Sequence, residues 1–191
     1  MGGRFDEHEI CVIMTMVFIT GLAGSGKSTA ASILRSMGFS VFEISDAIKK
    51  EMKSNGIELT PESIERYTLR EKRKQGKGFA AIATARLAAQ ASGNVAVIGF
   101  RSKDELAAAR RIIGRAPLIL ITAPYAARRS RVQSRKTMRM KEGELKMKDR
   151  SNIRMGMRAV MREADYIVSN TGTTKDLRQN MRRVLTLINK G

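Results

Sequence analysis

Gly21-Leu22-Ala23-Gly24-Ser25-Gly26-Lys27-Ser28-Thr29 is a glycine-rich stretch with an apolar segment on either side. It fits the pattern G-x-x-x-x-G-K-[S/T] at every fixed position, and Gly24 adds a third glycine. Val17-Phe18-Ile19 before it predicts a buried strand. The residues after it with the apolar spacing of a helix are Ala30, Ile33, Leu34 and Met37. Because this pattern is specific only between a strand and a helix, the sequence predicts a P-loop.

A loop of this kind predicts a site for ATP and Mg²⁺. Glycines reach backbone angles that a Cβ would forbid, so successive N–H groups can turn inward around phosphate oxygens. The N-terminus of the following helix adds unpaired donors and a partial positive charge. We expect Lys27 to reach the β- and γ-phosphates and the Ser28 hydroxyl to bind the magnesium ion. The predicted nucleotide-binding residues of the loop are Gly21, Leu22, Ala23, Gly24, Ser25, Gly26, Lys27, Ser28 and Thr29. The alternative is a glycine-rich turn with a chance lysine.

Charge and rare residues limit the classes of function. The 191 residues include 36 lysines and arginines against 18 acids, a formal net charge of +18. Such a charge attracts nucleotide phosphates, nucleic acid or an acidic membrane surface, and it does not choose among them. One cysteine, Cys11, and one histidine, His8, argue against a disulfide, a zinc site or histidine-based catalysis. Since no apolar run reaches transmembrane length, we expect a cytoplasmic protein without membrane contact.

Short apolar strands alternate with helices along the chain. The predicted strands are residues 17–19, 41–44, 95–99, 117–122 and 166–169. Two helices are expected between the fourth and fifth strands, and one helix closes the chain. This order predicts an α/β fold, a doubly wound parallel sheet of about five strands with helices on both faces. We expect one domain, 16–191, after a loose N-terminal extension, 1–15.

Ligands of such sheets bind at the carboxyl ends of the strands, which directs attention to Asp46 and Arg101. Asp46 follows the second strand and is a candidate to orient metal-bound water or to accept a proton in phosphoryl transfer. The alternative for Asp46 is a helix-start aspartate favoured by the helix dipole. Arg101 follows the third strand and is a candidate clamp for an acceptor phosphate. The alternative for Arg101 is an ordinary surface arginine.

Residues 128–162 are dense in positive charge. Cations recur every fourth residue at Lys146, Arg150, Arg154, Arg158 and Arg162, which predicts a basic stripe winding around a helix. We expect a basic lid over phosphates at about 128–150. Arg128, Arg131 and Arg135 are the candidates for a function in this lid, and the other cations are expected to form a solvated face. After the last strand, Asn170-Thr171-Gly172 predicts a turn. The position of this turn resembles a loop of nucleotide kinases that lies against the base, and this resemblance implies that Asn170 and Gly172 contact the nucleotide.

Taken in order, these segments resemble the P-loop nucleoside- and nucleotide-kinase superfamily, closest to archaeal dephospho-CoA kinase-like and adenylate-kinase-like proteins. The resemblance covers residues 16–190 and implies an ATP–Mg²⁺ kinase whose acceptor binds at about 46–92. It implies catalytic roles for Lys27, Asp46, Arg101, Arg128 and Arg131. Arg101 matches the arginine of the family's D-G-x-[P]-R motif, but the aspartate that opens this motif is Ile98 here.

Two functions follow from these observations. The first is a small kinase that transfers the ATP γ-phosphate to a nucleotide or nucleotide-like acceptor. The second is an ATP-binding regulatory or RNA-interacting module with weak or no transfer, favoured by Ile98 and by the net charge of +18. The partners expected are therefore a small-molecule phosphate acceptor and, from the charge, nucleic acid. The sequence identifies neither the acceptor nor the oligomeric state.

Overall fold

The part of the chain that the structure describes forms one sheet of five parallel strands in the order β2-β3-β1-β4-β5. The computed structural model describes residues 15–134, 140–141 and 143–190. The strands are β1 (Met16–Thr20), β2 (Ser40–Glu43), β3 (Val95–Phe100), β4 (Leu118–Thr122) and β5 (Tyr166–Ser169). The helices are α1 (Lys27–Arg35), α2 (Ile44–Ser54), α3 (Pro61–Gln75), α4 (Phe79–Ala89), α5 (Lys103–Ile113), α6 (Tyr125–Gln133), α7 (Glu144–Arg154), α8 (Met157–Arg162) and α9 (Thr174–Ile188). The predicted α/β fold with a parallel sheet of five strands is confirmed.

Both faces of the sheet are covered, which explains why its central strands are continuous apolar runs. Phe18 of β1 packs into a cluster with residues of α2, α4 and α5, and its ring centroid lies 4.8 Å from that of Phe100. Val17 and Ile19, its neighbours in the same strand, point to the other face and pack with residues of α1 and α9. Alternate residues of β1 thus contribute to two cores, and helices cover both faces as predicted.

The described residues between β4 and β5 form three helices, not the predicted two. Gly156 separates α7 from α8 with a φ of 102°, in the left-handed region that an L-residue in a continuous helix does not adopt. The basic stripe predicted along one helix is therefore wrong beyond Arg154, because Arg158 and Arg162 belong to a second helix. The cations recur every fourth residue on both sides of Gly156, so the charge pattern gave no sign of the break between the two helices.

Thr15, the first described residue, is anchored beside the start of β1. Thr15, which the sequence assigned to the extension 1–15, is buried; its N–H donates to Asn94 Oδ1 at 3.0 Å and its hydroxyl to Asn189 Oδ1 at 2.8 Å. The rest of that extension, residues 1–14, lies outside the described residues. Arg135 and part of the predicted lid also lie outside them. Among the described helices, none is both long and apolar enough to cross a bilayer.

Candidate active site

The glycine-rich loop connects β1 to α1 at the carboxyl edge of the sheet. β1 is a central strand, with β3 on one side and β4 on the other. Gly26 is the N-cap of α1 with a φ of 109°, and no acidic side chain lies in the first turn of this helix. The N–H groups at a helix start have no intrahelical acceptors, and the helix dipole adds positive potential there. The loop therefore has the backbone arrangement of an anion site.

Glycine is required at two positions of the loop by close contacts as well as by backbone angle. A Cβ at Gly24, whose φ is 75°, would lie 2.8 Å from Arg128 O of α6. A Cβ at Gly26 would overlap Asn170 Nδ2. The loop is thus packed between α6 and the turn after β5, which fixes its shape before any ligand binds.

Lys27, the first residue of α1, folds back across the loop. Its Nζ donates to Gly21 O at 2.7 Å and to Leu22 O at 3.0 Å. These bonds hold the ammonium group at the loop, where a phosphate oxygen could replace a carbonyl as its acceptor. Lys27 is therefore placed where the sequence predicted it, at the phosphate-binding loop.

Asn170 connects the turn after β5 to both the loop and α6. Its side-chain Nδ2 donates to the Ser25 backbone oxygen at 2.7 Å, and its backbone oxygen accepts from Arg131 Nη2 at 2.9 Å. Within the described residues, Arg131 Nη1 and Ser25 Oγ are buried and have no hydrogen-bond partner. Asn170 and Arg131, predicted separately, thus meet at the loop. Gly172 lies in the same turn and is exposed, and a Cβ at this position would lie 2.5 Å from Asp176 Oδ2.

Arg128 is buried and points under the loop. Its Nη1 donates to Ala23 O at 3.0 Å and to Asp149 Oδ1 at 3.0 Å, while Nη2 donates to Asp149 Oδ2 at 2.7 Å. Its guanidinium carbon also lies 5.5 Å from the centre of the Tyr125 ring. These contacts position the loop and α7, and the catalytic role assigned to Arg128 stays a prediction.

Three positions bear on whether a magnesium ion could be oriented at the loop: Ser28 in α1, Ile98 in β3 and Glu43 at the end of β2. Ser28 is exposed in the first turn of α1, so its hydroxyl is available to a metal ion held mainly by phosphates and water. Ile98 of β3 is only 2% exposed and packs in the core, so it offers no ligand. Its neighbour in the ladder is Glu43, the last residue of β2, whose Oε1 lies 3.7 Å from Arg35 Nη2. Sequence analysis missed Glu43 because pairing between strands is not visible in the sequence.

Asp46 lies in the first turn of α2, at the same edge of the sheet as the loop but beyond β3. Its carboxylate is exposed and Lys49 Nζ donates to it at 3.0 Å. Both of the roles considered for Asp46, helix start and catalysis, are compatible with this position. A catalytic role for Asp46 stays a prediction.

Arg101 directly follows β3 and is half-buried. Its backbone N–H donates to Glu105 Oε2 at 2.7 Å. Burial raises the pKa of the Glu105 carboxyl, although the positive charges of Arg101 and Lys72 oppose this shift. Desolvation and the charge of Arg101 lower the pKa of Lys148, an α7 residue that the sequence did not single out. The buried Glu105 carboxylate thus lies at the Arg101 backbone, and Lys72 Nζ lies 3.8 Å from its other oxygen.

The structure therefore brings most of the predicted residues to one edge of the sheet, in two groups. Lys27, Ser28, Arg128, Arg131 and Asn170 lie at the loop. Arg101 and Asp46 lie on the side of β3 and β2, where α2 and α3 connect the strands.

The comparisons with known proteins agree with this geometry. The family model described as AAA domain matches residues 17–153. A UPF0200 protein of Aeropyrum pernix is 33% identical over 177 residues, which are 88% of this chain and 90% of that protein. A UPF0200 protein of Hyperthermus butylicus is 29% identical over 178 residues, 90% of this chain and 93% of that protein. 

The solved structure of shikimate kinase from Acinetobacter baumannii in complex with shikimate is similar with a TM-score of 0.61. The sequences are 16% identical, and the alignment covers 92% of this chain and 94% of the other, so this likeness concerns the fold alone. The kinase-like P-loop architecture predicted from the sequence is confirmed. Since the family model matches most of the chain and a relative of 33% identity aligns along nearly its whole length, the chain belongs to the AAA-domain family and to the UPF0200 proteins.

Proposed function

We propose that this protein is a small cytoplasmic kinase that transfers the γ-phosphate of ATP to a nucleotide or nucleotide-like acceptor. The observation that carries the proposal is the pairing of two sites at one edge of the sheet. The P-loop between β1 and α1 can hold the triphosphate, and Arg101 follows the adjacent strand β3. Phosphoryl transfer depends mainly on positioning and charge neutralisation, which such an arrangement supplies.

Most of the predicted residues have a role in this proposal. The loop amides and Lys27 bind the β- and γ-phosphates, and the Ser28 hydroxyl is one ligand of Mg²⁺, which neutralises the developing charge when it is bound. Asn170 and Arg131 form the wall of the nucleotide site on the β5 side. Asp46 and Arg101 face the acceptor, one as an acceptor of its proton and the other as a cation for its anionic group.

One specific observation favours a second function. Ile98 occupies the position at which the resembled motif has a metal-orienting aspartate. Its apolar side chain is buried in the core and offers no carboxylate to a metal ion. Loss of a preorganised charge contact at a phosphoryl-transfer site slows the reaction by a factor of about 100 or more. The alternative is therefore a module that binds ATP, transfers phosphate weakly or not at all, and uses its net charge of +18 to bind RNA.

Labelled ATP tests the two functions directly. The purified chain is incubated with γ-labelled ATP, Mg²⁺ and a panel of nucleoside monophosphates, dephospho-CoA and RNA with free 5′ ends. We expect phosphorylation of at least one small acceptor that depends on Mg²⁺ and falls about 100-fold or more in Lys27→Ala. The control is Lys53→Ala, which removes an exposed lysine from the last turn of α2, at the opposite end of this helix from Asp46.

The contrary result is equally clear. If ATP binds to the wild type while no acceptor is labelled above the level of Lys27→Ala, the kinase proposal is wrong. RNA binding that weakens with salt would then favour the second function, with its slope giving the number of phosphate contacts.

A further inference from the structure

Glu43, the last residue of β2, lies beside position 98 in the sheet. Glu43 and Ile98 are partners in the ladder between β2 and β3, and Ile98 is in turn the partner of Ile19 in β1. Ile19 precedes Gly21, the first glycine of the loop, by two residues. Glu43 therefore lies level with the strand end from which the loop begins, one strand beyond the position at which the resembled motif has its aspartate.

The side chain of Glu43 is on the face of the sheet that α1 covers. Val41, two residues earlier in the same strand, packs against the core cluster that contains Ile98 and residues of α1. Because the side chains of a strand alternate between faces, Glu43 is on the same face as Val41. The contact with Arg35 agrees with this, since Nη2 of this last residue of α1 lies 3.7 Å from Glu43 Oε1. The carboxylate is thus beside the helix that follows the loop.

Arg35 shares one face of α1 with Ser28, the candidate magnesium ligand. Arg35 follows Ser28 by seven residues, which is about two helical turns, so these side chains and that of Ser32 form one row along the helix. All three residues are exposed. The Cα–Cβ bonds of a helix tilt towards its N-terminus, so the Arg35 side chain starts back along this row towards the loop. The Glu43 carboxylate therefore lies on the side of α1 that carries the Ser28 hydroxyl.

This carboxylate is not held tightly by the contacts around it. Glu43 is the N-cap residue of α2, but its side chain makes no capping hydrogen bond to that helix. The distance of 3.7 Å to Arg35 is longer than that of a hydrogen bond. The Arg35 side chain is also 49% exposed, so water weakens the attraction between the two charges. The Glu43 side chain can therefore reorient at small cost in free energy.

A magnesium ion at the loop would need such a carboxylate. The first turn of α1 contains no acidic residue, and the described part of the chain contains no cluster of three or more acidic, histidine or cysteine side chains that could hold a metal ion. The ion would therefore depend on phosphate oxygens, on the Ser28 hydroxyl and on water, ligands that suit Mg²⁺. A carboxylate that accepts hydrogen bonds from that water orients it and strengthens the binding of the ion.

We propose that Glu43 orients the water bound to Mg²⁺ at the loop, in place of the aspartate that is missing at position 98. This inference rests on the proposed function and adds a metal-orienting residue to it. Neighbouring strands lie about 4.8 Å apart. The extra methylene of glutamate covers part of this spacing and a metal-bound water covers the rest, so Glu43 acts through water and not as a direct ligand. Arg35 balances the charge of Glu43 when no metal ion is bound.

The test measures how much Mg²⁺ strengthens nucleotide binding, which requires neither an acceptor nor phosphate transfer. The full chain is titrated with a fluorescent, non-hydrolysable ATP analogue in Mg²⁺ and again in EDTA, at one ionic strength. The readout is the ratio of the two dissociation constants. Mg²⁺ should strengthen binding to the wild type, and Glu43→Gln should reduce this effect about ten-fold, as the loss of a residue that orients metal ligands does. Binding in EDTA should be unchanged.

Arg35→Met distinguishes this role from a purely structural ion pair. It removes the partner of Glu43 but keeps the carboxylate, so the effect of Mg²⁺ should stay at its wild-type value or increase. Glu58→Gln, at an exposed glutamate between α2 and α3, is the matched control and should leave the effect unchanged. Equal losses in Glu43→Gln and Arg35→Met would overturn the inference, because the pair and not the carboxylate would then matter.

An unchanged effect of Mg²⁺ in Glu43→Gln would also overturn the inference, as would binding to the wild type that Mg²⁺ does not strengthen. Failure of the proposed function gives a different result, in which the analogue binds but no acceptor is labelled. If the analogue bound in neither medium, the ATP site itself would be wrong, and this inference with it. Circular dichroism of each variant shows whether a loss of binding reflects a loss of fold.

Discussion

Arg128 of α6 and Asp149 of α7 form a double ion pair, with Nη1–Oδ1 at 3.0 Å and Nη2–Oδ2 at 2.7 Å. The same Nη1 donates to Ala23 O at 3.0 Å, inside the phosphate-binding loop. The two side chains are 6% and 18% exposed, so water screens this pair weakly. One guanidinium thus connects the glycine-rich loop to α7.

Removal of the charge from Asp149 should destabilise the fold strongly. Asp149→Asn leaves Arg128 buried without its counter-ion, and breaking a buried pair in this way costs about 3 kcal/mol, at the lower end of the usual range. Urea denaturation measures the free energy of unfolding. Glu58→Gln, which removes a charge from an exposed side chain, is the control and should change that free energy by less than about 0.5 kcal/mol. Similar values for the two variants would show that the pair contributes nothing to stability.

Substitution of Gly26 should abolish nucleotide binding. Gly26→Ala places a Cβ into Asn170 Nδ2 and keeps a φ of 109° that L-residues rarely adopt. Gly38→Ala is a matched control, because Gly38 also has a positive φ, 84°, but nothing lies within 4 Å of its Cβ position. Both variants bear the backbone cost of about 1–2 kcal/mol, while only the first disturbs the loop. Binding of a fluorescent ATP analogue that survives in Gly26→Ala would contradict this account.

The fold and the loop could be predicted from the sequence because both depend on neighbouring residues. The P-loop is a contiguous pattern, and the apolar runs of β3 and β4 identify buried strands directly. Arg101 could be found because it follows such a strand. The ion pair of Lys72 with Glu105 could not be found, since α3 and α5 bring these residues together only in the folded chain. The pairing of Glu43 with Ile98 was hidden for the same reason, because a ladder joins residues distant in the chain.

Restoring the family aspartate at position 98 should not restore a metal site. Ile98 is 2% exposed and surrounded by apolar side chains, so Ile98→Asp buries a carboxylate without a partner. We expect a loss of several kcal/mol in the free energy of unfolding, or a failure to fold, with no gain in phosphate transfer. Ile98→Val, which removes one methylene, should cost about 1 kcal/mol and keep ATP binding. A folded Ile98→Asp variant with faster Mg²⁺-dependent transfer would contradict this expectation.

The pH dependence of stability should reveal the cost of burying Glu105. Burial raises the pKa of this carboxyl in the folded state, so the folded chain binds its proton more readily than the unfolded chain. The stability of the wild type relative to Glu105→Gln should therefore decrease as the pH rises from about 4.3, the value for an unfolded glutamate, through the raised pKa. Glutamine keeps an oxygen that can accept the Arg101 N–H, so the comparison isolates the charge.

Asp176 provides a control of opposite sign for this experiment. Hydrogen bonds from the Thr173 backbone N–H and hydroxyl lower its pKa, and the pair caps α9. The stability that Asp176 adds relative to Asp176→Asn is present above the pKa of an unfolded aspartate and is lost as the pH falls through the lowered pKa. Thermal unfolding from pH 3 to 8 measures both differences. If they changed in the same direction with pH, Glu105 would not be a buried carboxylate whose ionisation opposes folding.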